Sequence, residues 1–515
     1  MKTWMSKLKQ ENIIIPFLTT IVVGLIAHFP VMINNFPNAD AMGSLYFDQN
    51  MVTSGRWFLT VACGISSYFD LKWVNGVLSL LYLALSAVVL VKFFEVKSKT
   101  VMGILSALLV TFPAVCATFA YMYTADGYFL ALWFAFLAVY LTKKYKKIGW
   151  LFGGILLSFS MGTYQAYLAA AILLCLFDLI LSCAQNEKVK DILLRGVRFL
   201  VMGVLGGGLY FVILKICLKA QGKVLDTYQG INTMGKISLS ALPGMIANAY
   251  QDFLGFARNG KIFVLNGFSL AAVVLLFGVA LLAVLMIMAH TKAIKKWYQS
   301  LLIVLFVLLI PLGANIILLI SAEAFYHLLM RLQWGLFPIF ALVCVEKGLS
   351  TEEGKVKGIA YLAGLAGALL FVWQFILSDN IAYFNMNERY EKTYAYCLRL
   401  ADRIEQTEGY HVGMPVMMIG VLDEDKYPVT DITGAVTERI FGTTGDMLIY
   451  KAEQYQAFMS HYLNVSLNVI TDAETIVDIY HSDAYREMDS FPAKDSVKVV
   501  DGILYIKTEP PEKAK

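Results

Sequence analysis

Apolar stretches long enough to cross a bilayer recur along the first three-quarters of the chain. A span needs roughly 20 apolar residues at about 1.5 Å rise each. Windows of this kind lie at 13–33, 73–94, 101–122, 127–142, 148–163, 166–183, 197–217, 263–289, 299–320, 326–345 and 358–378. They predict eleven transmembrane helices. Those at 148–163 and 166–183 are short and separated only by Tyr164-Gln165. The first window follows a basic N-terminus, as the core of a signal peptide would. It runs on through Phe29-Pro30-Val31-Met32 without a small-residue cleavage site, so it reads as a retained helix.

The polar positions give an orientation. Alternate loops hold Lys2, Lys7 and Lys9; Lys92, Lys97 and Lys99; Lys143, Lys144, Lys146 and Lys147; Lys188, Lys190, Arg195 and Arg198; Lys292, Lys295 and Lys296; and Lys347, Lys355 and Lys357. The intervening turns at 121–126, 164–165 and 321–325 hold none. By the positive-inside bias the basic loops and the N-terminus are cytoplasmic. After eleven crossings the C-terminal segment is then outside. Two longer outer segments remain. Within 34–72, the stretch 43–68 has apolar residues at helical spacing around Arg56-Trp57-Phe58, which predicts an amphipathic helix in the interface plane. The segment 218–262 has Tyr228-Gln229-Gly230-Ile231-Asn232 at its centre.

From 381 the pattern becomes that of a soluble domain. A mixed-charge helix is expected over 386–406, a buried strand over Pro415–Gly420, a helix over 447–462 and a hairpin over Val497–Ile506 turning at Asp501-Gly502. The expected domains are a membrane region, 1–380, and a small extracytoplasmic α/β domain, 381–515. Composition agrees: the 515 residues are 58% hydrophobic and 16% charged, where soluble chains run near 45–50% and about 25%. The net charge of +4 is the sum of −9 over 381–515 and +13 over the rest. The positive part is topology signal rather than a nucleic-acid footprint. The seven cysteines show no metal or CxxC spacing and read as small buried residues.

Ionisable residues at the ends of spans are the candidates for chemistry. Asp40 and Asp48 follow the first span, and a carboxylate there can act as a general base on an acceptor hydroxyl. The competing reading is that Asn38 or Asp40 caps a helix. Asp126 sits in a turn on the same outer edge, where it or Thr124 can equally cap the next helix. Glu323, His327 and Arg331 are spaced four and four apart, on one helical face. Arg331 lies inside a span and needs an anion. A bound phosphate, a ladder with Glu323 through His327, and snorkelling to the interface are all open. Arg56 is a further phosphate candidate, against contact with anionic headgroups. Tyr164, Gln165, Tyr228, Gln229, Asn232 and Glu323 are candidates for sugar or acceptor contacts, with Asp226 beside them. No Walker A, GxGxxG, HExxH or GxSxG is present, and the inner loops are too short for a nucleotide-sugar fold. This set suits transfer of a sugar from a polyprenyl-phosphate lipid to an acceptor outside the membrane. A flippase or transporter is the main rival, but would call for broken helix pairs with charges at mid-membrane. A scaffold with a partner-binding outer domain would leave Arg331 and Asp126 unexplained.

The runs Asp48-Gln49-Asn50-Met51-Val52-Thr53-Ser54-Gly55-Arg56-Trp57, Thr124-Ala125-Asp126-Gly127-Tyr128 and Tyr228-Gln229-Gly230-Ile231-Asn232 resemble those of the bacterial membrane glucosyltransferases of the O-antigen-modifying (serotype-converting) type. That resemblance implies a polytopic α-helical GT-C-like fold and an undecaprenyl-phosphate-glucose donor used on the outer face of the cytoplasmic membrane. It implies an inverting transfer with a catalytic acid in the first outer loop, carried over to Asp40 with Asp48 second, and the second outer turn's acid to Asp126. It leaves open a GT-C enzyme of other sugar specificity, and a divalent cation such as Mg or Mn shared by Asp40 and Asp126. A flippase and a polyprenyl-phosphate sugar synthase are the expected partners. The larger outer domain departs from the better-known members and makes teichoic acid or another wall polymer as suitable an acceptor as O-antigen.

Overall fold

A computed structural model describes residues 2–43, 45–233, 240–260, 262, 264–321, 323–349, 355–433, 440 and 442–511. The chain divides into two compact units. The first is built mainly from Met1–Asn34 and Phe47–Asn380; the second takes Asn35–Tyr46, Ile381–Ala435 and Gly442–Lys515.

The first unit is helical. In order it contains α1 (Lys2–Ile33), α2 (Leu59–Gly64), α3 (Lys72–Phe93), α4 (Lys99–Thr111), α5 (Pro113–Phe119), α6 (Met122–Lys144), α7 (Gly149–Thr163), α8 (Leu168–Ala184), α9 (Val189–Gln221), α10 (Leu242–Asn259), α11 (Gly267–Val273), α12 (Val279–His290), α13 (Trp297–Ala314), α14 (Ile316–Ile320), α15 (Leu336–Leu349) and the start of α16 (Lys355–Glu405). Among the described residues each of the eleven apolar windows lies mostly on helix, 263–289 from Gly267 and 326–345 from Leu328. Among the described residues nine helices are long and apolar enough to cross a membrane, and ten if α4 and α5, bent by 44°, form one span. The bend has a sequence cause: Pro113 opens α5 and pushes Phe112 into extended backbone (ψ 130°). α7, at 15 residues, is the short one.

One end of this unit is fixed by polar contacts. At the lysine-rich end, the buried carboxylate of Asp178 pairs with Lys143 at 2.7 Å and Arg195 at 3.0 Å, tying α6, α8 and α9 together. Nearby, buried Glu346 accepts the backbone N–H groups of Lys97 (2.9 Å) and Ser98 (2.6 Å), which open α4. Between the ends, glycines let helices approach closely, as in other membrane bundles. A Cβ on Gly153 would meet the Thr142 hydroxyl and lie 2.7 Å from the Ala138 carbonyl oxygen.

The expected in-plane helix over 43–68 is not formed. The chain makes 3-10 turns at Ala41–Gly43 and Val52–Ser54 and only the short α2. Gly55 is left-handed (φ 76°), as are Gln49, Ser67 and Tyr68, so the segment is a series of turns. The amphipathic helix lies instead in the second long segment: α10 buries Ala249 and Phe256 and exposes Leu254.

The second unit holds a four-stranded sheet in the order β2-β1-β4-β3, with β1 Pro415–Met418, β2 Asn468–Val469, β3 Val497–Val500 and β4 Ile503–Ile506. β1 is parallel to both neighbours, and β3 and β4 form the hairpin expected at Asp501-Gly502, both with positive φ (48° and 76°). One sheet face, Val416, Met418, Leu504 and Ile506, packs on Tyr396, Leu400 and Ile404, a stripe of α16 at helical spacing. The other, Met417 and Tyr505, packs on Ile479, Tyr485 and Met488. Met42 joins the first of these cores, which explains why Asn35–Tyr46 belongs to this unit.

Overpacking a close helix contact costs about 1–3 kcal/mol. Gly153→Val is therefore expected to lower the thermal midpoint of the detergent-solubilised protein, whereas Gly203→Val, with open space around it, is not.

Candidate active site around Arg56

The turn Val52–Arg56 is held from several sides. Met51 and Arg56 pair as an isolated bridge. The Gln165 side-chain amide donates to the Ser54 carbonyl (2.9 Å), and the Tyr210 hydroxyl donates to the Gly55 carbonyl (3.1 Å). The Asp226 N–H donates to the Thr53 carbonyl (3.0 Å). The next residues dock on the α7 corner: Phe58 N–H donates to Gly162 O (2.8 Å), and a Cβ on Gly162 would lie 2.5 Å from the Trp57 ring. Only glycine fits there.

This pinning presents the Arg56 guanidinium. Its Nη1 donates to the Tyr128 hydroxyl at 2.9 Å. Its charge lies 5.1 Å from the Tyr164 ring centre, and Tyr164 is stacked on Tyr128 at 4.1 Å. Its Nε is buried without a hydrogen-bond partner, and among the described residues it makes no ion pair. Arg56 lines a cavity of about 140 Å³. Ser54, Gln165, Tyr210 and Ser321 add polar groups, while Met161, Phe211, Ile231, Ile317, Ile320 and Met330 make an apolar wall. The cavity sits where α6 and α8 begin and α7 ends, at the opposite end of these helices from the Lys143–Lys147 loop.

Arg331 has a different environment. The segment 323–327 is not helical, and Arg331 lies in a 3-10 stretch, Leu328–Gly335, with φ −107°. Glu323, His327 and Arg331 therefore do not form the expected face. Arg331 instead makes a two-pronged pair with Asp252 of α10, at 2.7 and 2.8 Å, and donates from Nε to Tyr326 O (3.2 Å). Its plane lies between Tyr326 (4.0 Å) and Phe256 (4.5 Å). Asp252 also accepts from the Asn315 amide (2.9 Å). Arg331, His327 and Asp252 line a second cavity, about 290 Å³, and Ala324 borders both cavities. Exposed Glu323 packs against the Gly230 turn, where a Cβ would lie 3.3 Å from its own Cβ.

The remaining candidates are placed as follows. Asp40 is exposed in the second unit, beside the Ala41–Gly43 turn that Asn38 caps through Ala41 N–H (2.8 Å). Asp48 is exposed and accepts from the Asn50 N–H at 3.0 Å. Asp126 lies inside α6, 1% exposed, with neither oxygen hydrogen-bonded, and does not line the Arg56 cavity. Thr124 does not cap α6; its hydroxyl donates back to Tyr121 O. The Asn232 N–H donates to Asp226 O (3.0 Å) within the turn Tyr228–Thr233; the side chains of Tyr228 and Gln229 lie outside the described residues. Among the described residues no group of three or more His, Cys, Asp or Glu is arranged to hold a metal ion. Sequence reasoning missed Tyr210, Asp252 and Asp379, the last fully buried in α16 with both oxygens unpartnered. Asp252 had a legible signal, the amphipathic period of Leu242–Asn259.

The three sequence runs thus meet at this cavity. Arg56 of the first reaches Tyr128 of the second, and Ile231 of the third lines the same cavity; beside the runs, Gln49 reaches Tyr123 O and Ser54 reaches Asp226. A family model described as glucosyl transferase GtrII matches residues 29–337, more than half of the chain. The chain belongs to that glucosyl transferase family. The match contains both arginine cavities and all three runs, and it bears out the resemblance seen in the sequence. Family membership supports glycosyl transfer as the chemistry. No curated protein and no solved structure matches the chain.

Arg331 is buried and Asp252 only partly so, and leaving a buried polar group without its partner costs about 1–3 kcal/mol. Asp252→Ala is therefore expected to destabilise the solubilised protein strongly, and the double change Asp252→Leu with Arg331→Met to recover most of the loss. An unchanged melting midpoint in Asp252→Ala would show that Arg331 does not depend on that partner.

Proposed function

We propose that the protein transfers glucose from undecaprenyl-phosphate glucose to a cell-surface glycan at the outer face of the bacterial cytoplasmic membrane. The observation that supports this most is Arg56: among the described residues its guanidinium has no anionic partner, and it lies in a small cavity lined by both polar and apolar side chains. A lipid-borne phosphate matches both kinds of lining. The guanidinium meets the phosphate and stabilises the charge that develops on it as the glucosyl C1–O bond breaks, while the apolar wall faces the start of the lipid. The acceptor hydroxyl attacks C1 from the opposite side, its proton passes to a carboxylate, and polyprenyl phosphate leaves. An outer-loop acid takes that proton, Asp40 in the first place and Asp48 in the second. Arg331, the phosphate ligand first expected, fits a positioning role better, because Asp252 already neutralises it. In this reading eleven crossings, counting the α4–α5 pair and the short α7, put the C-terminal unit outside with the acceptor.

Arg56→Ala is expected to reduce transfer from labelled undecaprenyl-phosphate glucose in proteoliposomes by about 100-fold or more, as for loss of one charge-stabilising donor. Arg56→Lys should recover little, since a point charge does not replace the planar fork. Wild-type rates in Arg56→Ala would end the assignment, and wild-type rates in Asp40→Asn would move the base to Asp48. Mass spectrometry of surface glycans with and without the protein names sugar and acceptor. For orientation, a cysteine at Tyr480 should react with an impermeant maleimide added to intact cells; protection would reverse the topology.

A further inference from the structure

The second unit lies almost wholly beyond the family-matched residues and has a groove of its own. About 630 Å³ in volume, it runs between one face of α16 and the loops 421–430 and 445–450. Lys392, Ala395 and Arg399 stand on that helix face at spacings of three and four. Opposite them are Tyr427 and half-exposed Tyr450.

The groove is less acidic than the domain around it. Residues 381–515 carry 22 acidic against 13 basic side chains. The groove lining carries Lys392, Arg399 and Lys426 against Glu424 and Asp446. Two of the three cations are already matched. Lys392 pairs with Asp446 at 2.8 Å and donates to the Thr430 hydroxyl at 3.0 Å. Lys426 pairs with Asp489 at 2.8 Å. Arg399 is the exception. Its Nε bonds only the Ala395 carbonyl of its own helix (3.1 Å), and among the described residues no carboxylate pairs with it. Its guanidinium lies 5.8 Å from the Tyr427 ring centre, and the buried Tyr427 hydroxyl completes no well-formed hydrogen bond.

We propose that this groove binds an anionic glycan, with Arg399 on a phosphate or carboxylate group and the Tyr450 and Tyr427 rings against the sugar. Tyrosine rings offer apolar faces to sugar C–H groups, and an exposed guanidinium without a carboxylate partner among the described residues offers donors to an oxyanion. The surrounding acidic surface repels polyanions generally, so the groove sets the place where one can dock. The proposal deepens the glycosyl-transfer reading, on which it rests for its meaning: the groove holds the acceptor polymer.

The test uses the full chain in zwitterionic nanodiscs and three fluorescent probes: phosphorylated dextran, unmodified dextran and polyglutamate. Fluorescence anisotropy should show saturable binding of phosphorylated dextran, weakened roughly tenfold or more in Arg399→Ala by loss of one charge-assisted contact. Tyr450→Ala should weaken it as well. Arg399→Lys should bind between wild type and Arg399→Ala, at an unchanged melting midpoint. Binding should also weaken as salt rises from about 0.05 to about 0.3 M. Equal binding of unmodified dextran overturns the anionic requirement, equal binding of polyglutamate overturns the sugar requirement, and unchanged binding in both Ala variants overturns the site. Arg56→Ala should keep phosphorylated-dextran binding while losing donor use. If Arg56→Ala instead keeps transfer, the donor assignment fails and the groove result still stands.

Discussion

A guanidinium withdrawn from water must be matched by an anion or left for a ligand to match. The first unit holds two such groups on cavities that share Ala324, and treats them differently. Arg331 is matched within the fold by Asp252, flanked by two aromatic faces. Arg56 receives a phenol and an aromatic face but, among the described residues, no anion. The matched group fastens α10 to the segment after α14. The unmatched group leaves a positive charge on the lining of the adjoining cavity.

Much of this was legible along the chain. The spans fall on the apolar windows because a 3.6-residue period filled with apolar side chains satisfies its backbone internally and needs no water. The strand Pro415–Met418 and the Asp501-Gly502 hairpin followed from equally local rules. Other parts were not local. The segment 43–68 has a helical apolar period, but its backbone groups are taken by Gln165, Tyr210 and Gly162, partners about a hundred residues or more away. Likewise, the spacing of Glu323, His327 and Arg331 assumed a continuous helix, whereas the backbone from 323 to 327 is turn and coil leading into a 3-10 stretch. The anion that Arg331 needed was foreseen; that it would be Asp252 was not, since nothing in the spacing links residues 79 apart.

The division of the chain also separates what kinship informs from what only physics informs. Residues 29–337 carry the family's pattern and the arginine cavities. Apart from Asn35–Tyr46, the second unit lies beyond that match, with its own sheet, its own two-sided core and a groove less acidic than its surroundings.

The cap on α4 bears on how the protein is made. The backbone groups of Lys97 and Ser98 are satisfied by Glu346, a residue that emerges from the ribosome 248–249 positions later. At about 5–20 residues per second the wait is of order ten seconds or more. Until then the turn between the second and third spans stays incomplete at the lipid–water boundary. In the meantime α4 has only its own cap, the Ser98 hydroxyl accepting from the Val101 N–H (3.4 Å), so the carboxylate contact is one that the nascent chain makes late.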